Sequence, residues 1–333
     1  MQSMTSVSIV GAAGYTGQET LDRVLAHPQL ELVALGSSSL AGRPAAALDP
    51  RLGRTGARAV PAFVPNDEAL GCGADVTILC LSHEEAAGLE PPAEGLVVDL
   101  SGAHRLRDPS QYERWYGFVH PRPGSLDQWV YGLPELVEGT GRLIANPGCY
   151  ATATLLALAP LREAIEPGSV VVAAMSGMTG AGRTLKPSTH AGFVLENVSP
   201  YKVGEHQHVP EIAQLLGFPV SFTPHLLPVR RGLIATCSVR STGAELRPLL
   251  EEAYRASEVV TVLPEGVAPE LSRVQGTDTA EIGVFDDRFT GRTTVICAED
   301  NLGKGAAGQA IQNVNRALGL PDTAGLRLPG VLV

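Results

Sequence analysis

The chain has 333 residues, 44% hydrophobic and 18% charged. It is too long for one ordinary domain, comfortable for two, and too apolar to be disordered. A formal charge of −10 argues against a nucleic-acid scaffold, because phosphate backbones demand basic surface. No apolar run approaches the roughly 18 residues of a membrane helix. MQSMTSVSIV lacks a charged region ahead of its apolar stretch, so no signal peptide is expected.

Residues 5–10 (TSVSIV) read as a short buried strand. GAAGYTG follows, then a helical pattern with Leu21, Val24 and Leu25 on one face, then a second strand from Glu31. Strand, glycine turn, helix and strand form a right-handed βαβ unit. Buried strands are predicted at 76–81, 96–100 and 143–145, and the Pro/Gly-rich stretch 117–134 reads as an irregular connection. This is the pattern of a doubly wound nucleotide-binding sheet. From Cys149 the pattern changes. YATATLLALAPLREAI predicts a helix, and strands follow at 170–175, 220–227, 233–239, 259–263, 281–285 and 293–298. Helices are predicted only near 210–216 and 244–256, so the second sheet is expected to be mostly antiparallel. Asn301 is placed to cap a last helix whose stripe of Ala306, Ala307, Ala310, Ile311, Val314, Ala317 and Leu318 packs back on the first domain. The expected fold is α/β: a Rossmann-type domain over 1–148 completed by 301–333, plus an α+β catalytic and oligomerisation domain over 149–300.

A glycine turn between strand and helix exposes backbone N–H groups and a helix N-terminus, both suited to a pyrophosphate. Here the spacing is Gly11-x-x-Gly14-x-x-Gly17, with Tyr15 and Thr16 between the last two glycines. The second strand ends in Gly36-Ser37-Ser38-Ser39-Leu40-Ala41-Gly42-Arg43, not in the acid that holds the ribose hydroxyls of NAD. Hydroxyls and Arg43 suit a 2′-phosphate, so NADP is the expected cofactor. The bland alternative is a Ser/Gly loop with a solvated arginine.

Five cysteines, at 72, 80, 149, 237 and 297, form no C-x-x-C and no metal spacing. A reduced, cytoplasmic setting fits. Cys80, Cys237 and Cys297 lie in apolar runs and read as core. Cys149, in Asn146-Pro147-Gly148-Cys149-Tyr150, falls at the first turn of a helix, where the dipole and free N–H groups are expected to lower its pKa. A buried structural thiol is the alternative. An acyl-transferring thiolate needs an acid/base partner. His206 and His208 open a helix and are the candidates; a structural pair or a metal site is the alternative, though no completing ligands are near in sequence. Arg105, after a predicted strand in DLSGAHR, is a candidate anion clamp, with a surface salt bridge as the alternative. SGMTGAGR, from Ser176 and Gly177 to Arg183, is a glycine-dense loop that can cradle a substrate phosphate or carboxylate through N–H groups, or is only a flexible connection.

Together these segments resemble the N-acetyl-gamma-glutamyl-phosphate reductase family, over nearly the whole chain and in the expected order. GAAGYTG, SSSLAGR, residues 99–106, YGLPE, NPGCYATA, SGMTGAGR, YKVG through EHQHVPEI, RGLIAT and DNLGKGAAGQAIQN each resemble a family segment. The resemblance implies an NADP(H)-dependent reductase of an acyl phosphate, working in arginine biosynthesis as a homodimer or homotetramer. Cys149 would be the nucleophile and His208 the acid/base. His206, Arg105, Arg183 and Tyr201 would lie on the substrate side, with Ser176, Gly177 and Asn301 beside the cofactor. The two histidine roles are interchangeable at this point.

Three departures stand out. The family's A-D-F is Gly102-Ala103-His104, and Gln207 and Val209 replace an arginine and a threonine. A sister family acting on carrier-bound aminoadipyl or glutamyl phosphate shares most motifs, but the intact NPGCY favours the acetylglutamyl reading. A non-catalytic NADP-binding sensor is the alternative from another class. Only three of 25 basic residues are lysines, and Lys186, Lys202 and Lys304 all lie in or beside motif segments.

Overall fold

The computed structural model describes residues 4–53, 60–184 and 187–330; Lys186 lies outside them. The N-terminal half runs β1 (Thr5–Val10), α1 (Tyr15–Ala26), β2 (Leu30–Gly36), β3 (Phe63–Val64), α2 (Asn66–Leu70), β4 (Val76–Leu79) and α3 (His83–Gly88). It continues through β5 (Leu96–Asp99), α4 (Ser110–Tyr116), β6 (Trp129–Tyr131) and β7 (Leu143–Ala145). All seven strands pair in parallel in the order β3-β2-β1-β4-β5-β7-β6. Strand order reverses at β1, so the crevice for a ligand opens at the carboxyl ends of β1 and β4. The glycine turn after β1, Ser82 after β4, the loop after Asp99 and the Cys149 segment after β7 all lie along that edge. The stretch 117–134 is not all irregular: β6 forms an outer strand there, a three-residue segment too short for sequence periodicity to reveal.

The second half runs α5 (Cys149–Leu158), β8 (Val171–Ser176), α6 (Ala191–Val194), β9 (Ser199–Pro200), α7 (His208–Leu216), β10 (Ser221–Leu226) and β11 (Leu233–Val239). Then come α8 (Leu246–Tyr254), β12 (Val260–Val262), α9 (Leu271–Val274), β13 (Ala280–Asp287), β14 (Arg292–Glu299) and α10 (Gly308–Ala317). Its sheet is mixed, ordered β12-β13-β14-β11-β8-β10-β9. Four pairings are antiparallel, while β8–β10 and β12–β13 are parallel. The α5 sequence CYATATLLAL has no polar face and is buried from Tyr150 to Leu158, as expected of a helix that fills a core. It packs with Val172, Ala174, Ala235, Cys237, Val295 and Cys297, from one face of the sheet. No helix among the described residues is long and apolar enough to cross a membrane.

The C-terminal helix does return to the first sheet: Ala310, Ile311 and Val314 join the core of Val7, Ile9 and Val98. Its start differs from expectation. Asn301 is not its cap. The Asp300 carboxylate accepts the N–H groups of Leu302 (2.9 Å) and Gly303 (3.1 Å). A π turn over Gly303–Ala307 then leads into α10. Asn301 instead accepts from the Gly232 N–H (2.8 Å) and donates to Thr179 Oγ1 (3.0 Å), pinning the 176–183 loop. Lys304 is fully buried and donates to Glu135 Oε1 and Gln312 Oε1, both at 2.7 Å. Ion pairs also stitch α1 to the second half. Arg23 meets Asp278 at 2.6 Å, and Arg231 bridges Glu19 (2.6 Å) and Asp300 (2.5 Å).

Candidate active site

Asn146, Pro147 and Gly148 carry the chain from β7 into α5. The Asn146 N–H donates to the Asp99 carbonyl at 2.8 Å, and its side chain bonds Asn313 and the Ala306 carbonyl. That fixes Gly148 as the N-cap, with no side chain capping the helix. Cys149 therefore stands where sequence placed it, at the helix start. Its acidity is a correction. Burial pushes the thiol up to about 12, with Glu299 adding to the rise, and the Tyr150 amide and Arg105 only partly oppose it. The helix start is present, but desolvation of the half-buried side chain outweighs it.

The His208 ring packs against Gly148 so closely that a β-carbon on that glycine would lie 2.2 Å from Nε2. His208 is the first residue of α7, so the helix start aims its ring at the start of α5. Burial, His206, Arg105, His83 and Lys202 hold it neutral, well below the ordinary histidine range. Arg105 is buried. Its Nε donates to the Asn146 carbonyl and Nη2 to the Leu100 carbonyl, each at 2.8 Å. This leaves Nη1 facing His208 Nε2 (3.5 Å) and Glu211 Oε2 (3.6 Å).

Glu211, one helical turn beyond His208, was not singled out in the sequence. It is fully buried, and Oε1 accepts from Tyr131 OH (2.7 Å) and the Gly148 N–H (2.9 Å). An acid three residues after a histidine at a helix start shares its face, which is the signal that locates it. Tyr131 belongs to YGLPE, and Glu135 of the same segment holds Lys304. One member of that motif thus serves the site and another the core.

His206, Tyr201 and Tyr150 make a neighbouring wall. The rings of Tyr150 and His206 meet at 5.3 Å and those of Tyr201 and His206 at 5.6 Å. Tyr201 OH donates to Tyr150 OH (3.2 Å), which donates to the His225 carbonyl (3.0 Å). Burial and Lys202 bring His206 down to about 3, and its Nδ1 accepts the His208 N–H at 3.2 Å. Lys202 donates to Gln207 at 2.8 Å, so the residue standing where an arginine was expected is engaged with one of the scarce lysines.

The departure at Gly102-Ala103-His104 has a structural account. His104 stacks on Trp129 at 3.8 Å and hydrogen-bonds Asp99 Oδ2 at 2.7 Å. A β-carbon at Gly102 would lie 2.3 Å from the Tyr116 ring. Burial works against the charge of Asp99, but His104 and Ser101 hold its carboxyl below the usual range.

The glycine turn fits a dinucleotide. Gly11 has φ +84, and a β-carbon there would meet the Cys80 carbonyl at 2.5 Å; one at Gly17 would meet Ala12 at 2.6 Å. Gly14 is the N-cap of α1, with no side-chain cap and no acid in the first turn. The N–H groups at Tyr15, Thr16 and Gly17 are thus left for an anion. In the next loop Ser37 is buried and its Oγ accepts the Leu40 N–H (3.2 Å), so it shapes the turn, whereas Ser38 and Arg43 are exposed. Arg183, expected beside the acyl group, donates to the Ala13 carbonyl at 2.9 Å and so reaches the glycine turn. Ser176 is buried at the end of β8, and Gly177 crosses the Arg231 backbone, where a β-carbon would lie 2.7 Å from its nitrogen.

Two family descriptions match. Residues 6–140 match the semialdehyde dehydrogenase NAD-binding domain, and residues 149–301 the semialdehyde dehydrogenase dimerisation domain. An N-acetyl-gamma-glutamyl-phosphate reductase of Acidothermus cellulolyticus is 44% identical over 98% of both chains. One from Geobacter metallireducens is 40% identical over 97% of this chain and 98% of its own. The chain belongs to the N-acetyl-gamma-glutamyl-phosphate reductase family. Its fold extends further. Aspartate semialdehyde dehydrogenase II of Vibrio cholerae superposes with a TM-score of 0.73 at 17% identity, covering 96% of this chain and 99% of that one. Family membership makes the chain an oxidoreductase with a nicotinamide-binding domain, and Cys149, His208 and Arg105 gather at one end of the segment where the two matched regions meet.

Proposed function

We propose that the chain reduces N-acetyl-gamma-glutamyl phosphate to N-acetylglutamate 5-semialdehyde and phosphate, with NADPH, in the cytoplasm. One observation carries this reading: Cys149 at an uncapped helix start, beside a neutral His208 and the Arg105–Glu211 pair, all packed around Gly148.

The resting pair is thiol and neutral imidazole. His208 takes the thiol proton as the acyl phosphate arrives, and Cys149 sulfur attacks the γ-acyl carbon. The bond to the phosphate oxygen breaks, phosphate leaves, and a thioester remains. Helix-start N–H groups face the developing oxyanion. The Gly148 N–H is spoken for by Glu211 and that of Tyr150 is directed at the Cys149 sulfur, so the Cys149 N–H does this. Arg105 presents Nη1 to the substrate anion. When bound, NADPH supplies a hydride. Collapse of the resulting thiohemiacetal on Cys149 releases the aldehyde and returns the sulfur, with His208 relaying the proton. His206 and Tyr201 form the substrate wall. Gly11, Gly14, Tyr15, Thr16 and Gly17 would hold the pyrophosphate, Ser38 and Arg43 the 2′-phosphate, and Ser176, Gly177 and Asn301 the loop beside the nicotinamide.

We take residues 1–148 with 301–333 as the NADP-binding domain and 149–300 as the catalytic and oligomerisation domain. The sheet face opposite α5 supports a homodimer. Met175 pairs with Ile234, and Ile296 with Thr236, in a half-buried ladder that alternates with the buried Ala174, Ala235 and Cys297. Sedimentation of wild type and Thr236→Arg tests this, with dissociation expected for the variant.

The deciding assay is phosphate-dependent reduction of NADP by N-acetylglutamate semialdehyde, beside the carrier-bound aminoadipyl and glutamyl analogues and with NAD as the competing cofactor. Turnover with the acetylated substrate and NADP is expected. Preference for a carrier-bound substrate, or for NAD, refutes the corresponding part.

A further inference from the structure

Glu299, the last residue of β14, takes no part in the scheme above, yet it stands behind the nucleophile. A β-carbon added at Gly305 would lie 2.7 Å from Glu299 Oε1 and 2.8 Å from the Cys149 β-carbon. The Glu299 carboxyl and the Cys149 β-carbon thus both border the α-carbon of Gly305, and a charge on Glu299 opposes one on the Cys149 sulfur. Glu299 is fully buried, and neither of its oxygens has a hydrogen-bond partner among the described residues. A carboxylate in that setting is costly, and a neutral acid is far less so. The cation that acts on it makes its hydrogen bonds elsewhere. Lys304 is committed to Glu135 and Gln312. Asp300 and Glu135 carry the same sign as Glu299, and the remaining titratable neighbours, Cys149 and Cys297, are thiols. Burial lifts Glu299 well above the carboxylate range; Lys304 pulls the other way, and Asp300 and Glu135 add to the rise.

We propose that Glu299 is a positioning acid for the nucleophile: it keeps its proton while Cys149 works, and loss of that proton silences Cys149 at alkaline pH. The inference rests on the reading of Cys149 as the nucleophile. A negative charge beside the Cys149 side chain opposes a second one on its sulfur, whereas a protonated carboxyl leaves the thiolate free to form.

The test is the rate of Cys149 alkylation by iodoacetamide in the full chain, read by peptide mass from neutral to alkaline pH, for wild type and Glu299→Gln. The two are expected to match near neutrality. In alkali Glu299→Gln is expected to react about tenfold faster, the effect of a thiol pKa about one unit lower. Parallel profiles throughout overturn the proposal. The infrared spectrum of the wild type supplies a second readout that needs no variant. A protonated-carboxyl band is expected at neutral pH and should fade in alkali, and its absence at neutral pH also overturns the proposal. A Cys149→Ser enzyme that still reduces the substrate counts instead against the nucleophile reading, and the infrared band then decides the state of Glu299 alone.

Discussion

Gly148→Ala perturbs the site by a single methyl group. The backbone at this position, φ −75 and ψ 149, suits alanine, so any effect is steric. The new β-carbon would fall 2.2 Å from His208 Nε2 and within 2.6 Å of two ring carbons, well inside van der Waals contact. The Gly148 N–H is anchored on Glu211 and the His208 ring is buried, so the ring must yield by about 1 Å. A misplacement of that size costs about 10²-fold in rate, and full loss of general acid–base help costs about 10²–10⁴. Overpacking adds a stability loss of about 1–3 kcal/mol. The assay is kcat/KM for phosphate-dependent NADP reduction, with NADP affinity measured separately by fluorescence. A fall of at least about 10² with unchanged NADP affinity is expected. A folded Gly148→Ala enzyme with near-normal kcat/KM would refute the placement of His208 against the nucleophile.

Acid should destabilise the chain through its histidines. The folded state holds His206 neutral down to about 3 and His83 to about 4, so unfolding takes up protons below the ordinary value of 6.5, and stability falls as pH drops from there. At about pH 5 the His206 contribution lost is about 2 kcal/mol. His206→Gln should therefore show a shallower decline of its urea midpoint between neutral and mildly acid pH, and an unchanged slope contradicts the burial argument. Lys304→Met leaves Glu135 as a buried charge without its cation and should cost about 3–5 kcal/mol in urea unfolding; a loss under about 1 kcal/mol would show that the pair is relaxed. Gly11→Ala combines a left-handed φ with a 2.5 Å approach to the Cys80 carbonyl, so it should lower both stability and NADP affinity, and wild-type affinity would place the dinucleotide elsewhere.

The sequence was most readable where chemistry is local. The glycine turn after β1, Cys149 at the start of α5 and His208 at the start of α7 follow from spacing alone, because a helix start is defined within a few residues. What escaped depends on partners far along the chain. Glu211 matters through Tyr131 and Gly148, and Glu299 through Gly305 and Cys149. Arg105 reads as an anion clamp from its place after a strand, but its face toward His208 requires α7 to dock on α5. The Cys149 acidity failed for the same reason: a helix dipole is visible in sequence, and burial is a tertiary property. Short elements such as β3, β6 and β9, of two or three residues, carry too little pattern to be read. The mixed character of the second sheet comes from two crossovers that strand lengths do not encode. Lys304, noticed through composition, proved to be a core ion pair rather than a ligand group.

The central claim is that Cys149 carries the acyl group as a thioester. Mixing the enzyme with N-acetyl-gamma-glutamyl phosphate without NADPH, quenching in acid and weighing the peptides tests it directly. An acetylglutamyl adduct on the peptide containing Cys149, absent from Cys149→Ser, is the expected result. An enzyme that turns over normally yet never carries that adduct, or a Cys149→Ser enzyme that still reduces the substrate, would contradict the account.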